Sequence, residues 1–220
     1  KFNVSVANSS KFEDYKVQNI IANLLVSKGF YETMANSLTA DFTEHTKEIL
    51  EDNNIKIINP LSQDLSVMRQ SLLFSGLENI RFNLNRKNED LKLFEFGKTY
   101  HKVDTKIEEN KRLSIFVVGN KTKESWTSQP VKTDFFYLKG IVNSIMQKLN
   151  IDYRVEKSDS DTISEGLNYI VNDSVILSFG RLSGQLTNEF DINQEVLYAD
   201  FDWGYILKLV QKSKFQSENI

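Results

Sequence analysis

The chain has 220 residues, 40% of them apolar and 26% charged, with a formal net charge of −3 and no cysteine. That length supports one large domain or two small ones, and 15 Phe with 8 Tyr supply bulky material for a core. Disulfides, thiolate metal sites and cysteine nucleophiles are excluded, and the mixed charge gives no global pull toward nucleic acid or anionic membrane.

No apolar run approaches the roughly 18–20 residues of a membrane span, so no membrane partner is expected and the location reads as cytoplasmic. Residues 1–10 read as a lead-in from a preceding module, with Phe2, Val4 and Val6 alternating like a short edge strand. Residues 11–212 read as the core domain and 213–220 as the start of a linker. The first well-specified element is a helix over Lys11–Lys28. Ser10 and Glu13 have capping-box spacing, and Gly29 stands where a left-handed cap is wanted. Val17, Ile20, Ile21, Leu24 and Leu25 form its apolar stripe, with Phe12 extending it.

Phe30–Thr39 reads as a strand, Thr43–Leu50 as a short helix and Ile55–Ile58 as a strand stopped by Asn59-Pro60. After a polar bend, the pattern predicts a helix over Met68–Arg86, carrying Leu73, Leu77, Ile80 and Leu84. Gly76 within it costs about 1 kcal/mol relative to alanine, which points to a close helix approach there. Leu91–Val103 reads as a strand, Asp104–Lys111 as a charged connection and Leu113–Val118 as a returning strand. Residues 120–132 read as a loop. A third helix over Asp134–Leu149 buries Leu138, Ile141, Val142, Ile145, Met146 and Leu149, and its Gly140 again points to close packing.

Tyr153–Glu156 reads as a strand and Lys157–Glu165 as a loop. Leu167–Val171 and Ser174–Phe179 form a hairpin around the two-residue turn Asn172-Asp173. Gly180–Ile192 reads as irregular or a short helix, and Val196–Phe201 as a final strand. Asp202 then caps a helix carrying Trp203, Ile206, Leu207 and Val210. Hairpins and helical excursions connect the strands, so the fold class is α+β, a mostly antiparallel sheet flanked by helices.

No catalytic or metal constellation stands out. His45 and His101 each lack a second ligand at metal spacing. Ser62, Ser66 and Ser71 lack a nucleophile elbow and read as caps and turn formers. The sequence names no catalytic, cofactor-binding or metal residue.

The ordered motifs say more. Asn59-Pro60-Leu61-Ser62 with Met68-Arg69-x-Ser71-Leu72-Leu73, then Arg86 and Leu93-Phe94-Glu95-Phe96-Gly97, then Trp126 and Asp134-Phe135-Phe136-Tyr137-Leu138-Lys139-Gly140, occur in series. This series resembles the bacterial phenylalanyl-tRNA synthetase β-subunit family over about residues 10–212, in its catalytic-like core. The resemblance implies a class II aminoacyl-tRNA synthetase fold that does not catalyse. Class II sites hold ATP with two arginines, whose guanidinium charge offsets the phosphates. The resemblance places His101 where the first is expected. The third motif falls at Ala199–Ile206, which carries Asp200 and Asp202, and no arginine follows Arg181. The family's His-Pro elements are absent at Ser164–Leu167 and Gly180–Gly184.

By resemblance, the chain is an enzyme subunit without activity of its own. It scaffolds an (αβ)2 heterotetramer with the synthetase α subunit, and tRNA(Phe) is a partner of the full complex. No cofactor is expected in this chain, while ATP and magnesium are expected for the intact synthetase. The stripe Val17, Ile20, Ile21, Leu24 and Leu25 is the candidate subunit interface. It predicts an exposed apolar patch or self-association of the isolated chain; ordinary core packing is the competing reading. The alternative functions are a stand-alone class II paralogue that senses an amino acid or regulates a partner, and an active class II ligase.

Overall fold

A computed structural model describes residues 14–42, 53–104, 106–122 and 129–217, with side chains through residue 212. The readings that fall on the lead-in, the Ser10/Glu13 capping box, the Thr43–Leu50 helix, His45 and Trp126 lie outside the described residues.

The first elements are α1 (Asp14–Ser27), β1 (Tyr31–Glu32), β2 (Leu38–Thr39), β3 (Val67–Met68), α2 (Leu73–Leu84), β4 (Leu91–Val103) and β5 (Lys106–Val118). There follow β6 (Asn120–Thr122), β7 (Val131–Lys132), α3 (Phe135–Leu149), β8 (Arg154–Lys157), β9 (Ile163–Val171), β10 (Ser174–Leu182), α4 (Gly184–Glu189), β11 (Val196–Asp202) and α5 (Trp203–Ser217). One seven-stranded sheet runs β1-β4-β5-β11-β10-β9-β8, and only the short edge pair β1–β4 is parallel. The α+β, mostly antiparallel expectation holds.

Strand alternation divides the sheet into two faces. Phe94, Leu113, Ile115, Val117, Leu177, Phe179, Leu197, Ala199 and Phe201 point to one side and pack with α1, α3 and α5. Leu91, Leu93, Phe116, Val118, Val196 and Tyr198 point to the other, where α2 and α4 cover one half of the sheet. The same alternation places Thr99, Asn110, Arg112 and Asp200 on the half of that second face that α2 and α4 leave uncovered. A site is therefore available there and not on the helix-packed side.

The helices that repeat a clean apolar period appear where expected. Asp134 caps α3, its carboxylate accepting from Tyr137 N at 2.7 Å, and Asp202 caps α5 through Tyr205 N at 2.9 Å. The hairpin turn at Asn172 and Asp173 has φ of 49° and 59°, the left-handed pair that a two-residue turn requires. Helix α5 reaches Ser217, past the boundary drawn at residue 212.

Other readings are corrected. The Phe30–Thr39 strand splits into β1 and β2. Between them Thr33 N donates to Phe94 O, while Arg69 Nη1 reaches the carbonyls of Ala35 and Asn36 at 3.5 Å each. The Ile55–Ile58 strand is reduced to a single bridge, Lys56 to Val67, with Ile58 exposed. Helix α2 starts at Leu73 and not near Met68, because Arg69 N donates to Ser37 O and Tyr100 N donates to Arg69 O. Those bonds hold Arg69 as an extended neighbour of β4.

The connection expected over Asp104–Lys111 is instead the start of β5, paired in unbroken register from Val103↔Lys106 to Leu91↔Val118. Its polar residues are cross-strand partners, as in the 2.6 Å pair of Lys98 with Glu109. Strand β9 likewise begins at Ile163, inside the loop expected over Lys157–Glu165, and β10 runs to Leu182. Gly76 does mark a close approach, but to the sheet: a Cβ there would lie 2.1 Å from Phe116 Cζ. At Gly140 nothing among the described residues beyond its own helix lies within 4 Å of an added Cβ, so no close approach marks that glycine there.

Candidate functional site

The uncovered half of the second sheet face holds a cleft of about 220 Å3, lined by Gln70, Ser71, Leu73, Phe74, Thr99, His101, Asn110, Arg112, Thr162 and Asp200. Strands β4, β5 and β11 supply its floor. The bend Arg69–Leu72 and the first turn of α2 form one wall.

Arg69 builds that wall. Its Nη1 donates to Glu95 Oε1 at 2.7 Å and its Nε to Lys98 O at 2.9 Å. The Arg69 and Glu95 side chains are 5% and 3% exposed, so both charges are buried and each is the other's counter-ion. Gly97 makes room: a Cβ there would lie 2.5 Å from Arg69 Nη2. Gln70 is held in turn, donating to Asn54 Oδ1 at 2.7 Å, while Asn54 donates to both carboxylate oxygens of Asp41. Arg69 thus holds the bend and is not aimed into the cleft.

The charge inside the cleft is Arg112. Its Nη2 donates to Asp200 Oδ2, and its Nη1 lies 3.8 Å from Asp202. Burial alone would pull the Arg112 pKa down, but the Asp200 carboxylate outweighs it and holds the guanidinium above its ordinary range. Asp200 Oδ1 accepts from Ser114 Oγ at 3.3 Å, and Ser114 also meets the Tyr198 hydroxyl at 3.3 Å. Burial, with the Asp200 carboxylate adding to it, keeps the Tyr198 phenol well above its ordinary pKa, so it stays neutral.

His101 stands on β4 opposite Glu108 and at the cleft edge. Burial and the Arg112 guanidinium lower its pKa below the ordinary 6.5, while Glu108 works the other way. The folded chain therefore binds this proton less tightly than the unfolded chain does. The resulting stability is complete above pH 6.5 and is lost as pH falls through the depressed folded value. Thermal unfolding of the wild type followed from pH 7.5 downward should show this decline starting below 6.5, and His101→Gln should remove it. Identical pH profiles for the two proteins would contradict the assignment.

Of the five interface candidates on α1, Val17, Ile21 and Leu25 are core residues, 6%, 0% and 0% exposed, packed in the cluster with α3 and the sheet. They are corrected from interface to interior. Leu24 is half-buried against the same core, and Ile20 alone of the five stands exposed. The reason is angular: the stripe spans more of the helix circumference than one packed face can cover.

Sequence reasoning missed Arg112 because it fell between the stretch taken for a connection, Asp104–Lys111, and the strand taken to begin at Leu113. A strict period of two read back from Ser114 places Arg112 and Asn110 on the same face, and that was the available signal. Among the described residues no group of three or more His, Cys, Asp or Glu side chains converges to hold a metal.

The antiparallel sheet, helix-packed on one face and half open on the other, has a class II-like aminoacyl-tRNA synthetase fold. Two solved pyrrolysyl-tRNA synthetase structures from Desulfitobacterium hafniense share it, each with a TM-score of 0.68 over 90% of this chain at 13% identity. They are covered over 69% and 70% of their own lengths. The chain belongs to the family described as the phenylalanyl tRNA synthetase beta chain CLM domain, which it matches over residues 2–203. It is 35% identical to the phenylalanine–tRNA ligase beta subunit of Bacteroides thetaiotaomicron over 93% of its length, and 32% identical to that of Porphyromonas gingivalis over 94%. That of Fusobacterium nucleatum is 30% identical over 99%. The chain spans 27–28% of the length of these relatives.

Among the described lining residues the one arginine, Arg112, already holds a carboxylate of the same chain, and His101 stands where the resemblance expects another arginine.

Proposed function

We propose that this chain is the non-catalytic class II-like core of a phenylalanine–tRNA ligase beta subunit and that it acts as a scaffold. In this reading it docks the catalytic alpha subunit within an (αβ)2 heterotetramer in the cytoplasm. That assembly uses ATP and magnesium to attach phenylalanine to tRNA(Phe). The observation that carries the non-catalytic part is the Arg112–Asp200 pair, since a cation already neutralised by a fixed carboxylate has little left to offer a phosphate. Relatives at 30–35% identity that bear the beta-subunit name support the subunit part. Of the five stripe residues Ile20 is left exposed for a partner with Leu24 half-buried beside it, and Tyr15 and Val26 are further exposed apolar side chains of α1.

The test is co-expression with the alpha chain of the same organism. A stoichiometric complex is expected on purification, and the 220-residue chain alone should give no ATP–pyrophosphate exchange. A beta chain that never associates with alpha would overturn the scaffold reading. Exchange by the chain alone would overturn the non-catalytic one.

A further inference from the structure

The cleft is built from hydrogen-bond donors. Ser71, Thr99, Asn110 and Thr162 carry hydroxyl or amide groups along its walls, and Arg112 supplies a full positive charge. Among the described lining residues Asp200 is the one carboxylate, and it lies on that charge. It is fixed there from two sides, by Arg112 and by Ser114. Asp202, on the same face of β11, stands 3.8 Å from the other guanidinium nitrogen, which closes the second approach to Arg112.

We propose that this cleft is a latent anion-binding site plugged by the chain's own Asp200, whose carboxylate occupies the position at Arg112 that a phosphate group would otherwise take. An incoming anion has to displace Asp200 and leave its carboxylate beside a like charge in a partly buried place, so the wild-type chain rejects phosphates. The loss of nucleotide chemistry is then an active occlusion and not only the absence of arginines. Asp200→Asn removes the charge while keeping the shape and an oxygen for Ser114. Asp202 remains near Arg112 as its counter-ion, at a distance that leaves the Nη2 side of the guanidinium open. The inference deepens the non-catalytic reading, which rests on the same Arg112–Asp200 pair, but it does not need assembly with an alpha subunit, and pyrophosphate binding tests it apart from ATP–pyrophosphate exchange.

The probe is inorganic pyrophosphate, added to the 220-residue chain at constant ionic strength set with chloride, with thermal unfolding as the readout. A ligand that binds only the native state raises the melting temperature. At ten times its Kd, a chain of this size should gain about 3–5 °C. That gain is expected for Asp200→Asn, is absent from the wild type, and is abolished in Arg112→Gln/Asp200→Asn. A variant too unstable to be folded in buffer is read the same way, because pyrophosphate must then restore its folded signal. Three results would each overturn the proposal: an equal shift in the wild type, no response of Asp200→Asn, or a shift that survives removal of Arg112.

Discussion

Arg69→Ala lowers the stability of the chain by about 3–5 kcal/mol, the range for stripping one partner from a buried ion pair. At about 2–4 °C per kcal/mol for a protein of this size, the melting temperature falls by roughly 6–20 °C. Glu95 is 3% exposed, so the variant leaves a buried carboxylate whose remaining donor among the described residues is Ala35 N at 3.3 Å. The loss extends beyond the pair, because Arg69 Nε also satisfies Lys98 O at 2.9 Å. Arg69→Lys should fall between wild type and alanine: it keeps the charge but loses the planar fork that reaches both acceptors. The double variant Arg69→Met/Glu95→Leu should recover much of the loss, since it removes both buried charges together. A loss below about 1 kcal/mol for Arg69→Ala in denaturant titration would mean the pair is solvated in solution.

Trp203→Ala is expected to cost about 3–5 kcal/mol, the range for emptying a large aromatic site. Trp203 is 1% exposed, opens α5, and meets Phe96 edge to face at 5.0 Å. The aromatic contact and the buried area are lost together, and the fully buried Ile206 and Phe201 of the same core cluster can collapse only in part. Trp203→Phe should cost much less, about 1–2 kcal/mol. Among the described residues the indole Nε1 is buried without an acceptor, so removing it takes away an unmet donor along with the ring. Equal destabilisation by Phe and Ala, measured by chemical unfolding, would show that the nitrogen is satisfied after all.

Most of the elements were legible in the chain, and the reason is local. The period of α3, the cap at Asp202 and the turn Asn172-Asp173 depend on residues within a few positions of one another, so the sequence contains all the terms. The family label was equally legible, because ordered blocks from Asn59 to Gly140 are themselves sequence. Errors fell where a distant partner overrides local preference. The stretch Lys106–Lys111 is polar enough to read as a connection, yet a preformed partner strand pairs with it residue by residue. Met68–Leu72 has helical character, yet bonds to Ser37 and Tyr100 hold its backbone extended at Arg69.

The candidate site was less legible than the fold. Asp200 drew notice only through the family resemblance, His101 was first weighed as a metal ligand and set aside, and Arg112 drew none. Arg112 meets Asp200 across 88 positions of sequence, and Arg69 meets Glu95 across 26, through registers that no local pattern encodes. The interface stripe shows the same division. By itself the sequence determined that α1 is amphipathic, that the sheet is largely antiparallel and to which family the chain belongs, because periodicity and motif order are properties of the chain. Only the tertiary structure decided that Val17, Ile21 and Leu25 face inward while Ile20 does not, and that the arginine of the cleft is already occupied. Both outcomes depend on which surface arrives opposite a side chain, and that is settled by packing and strand register.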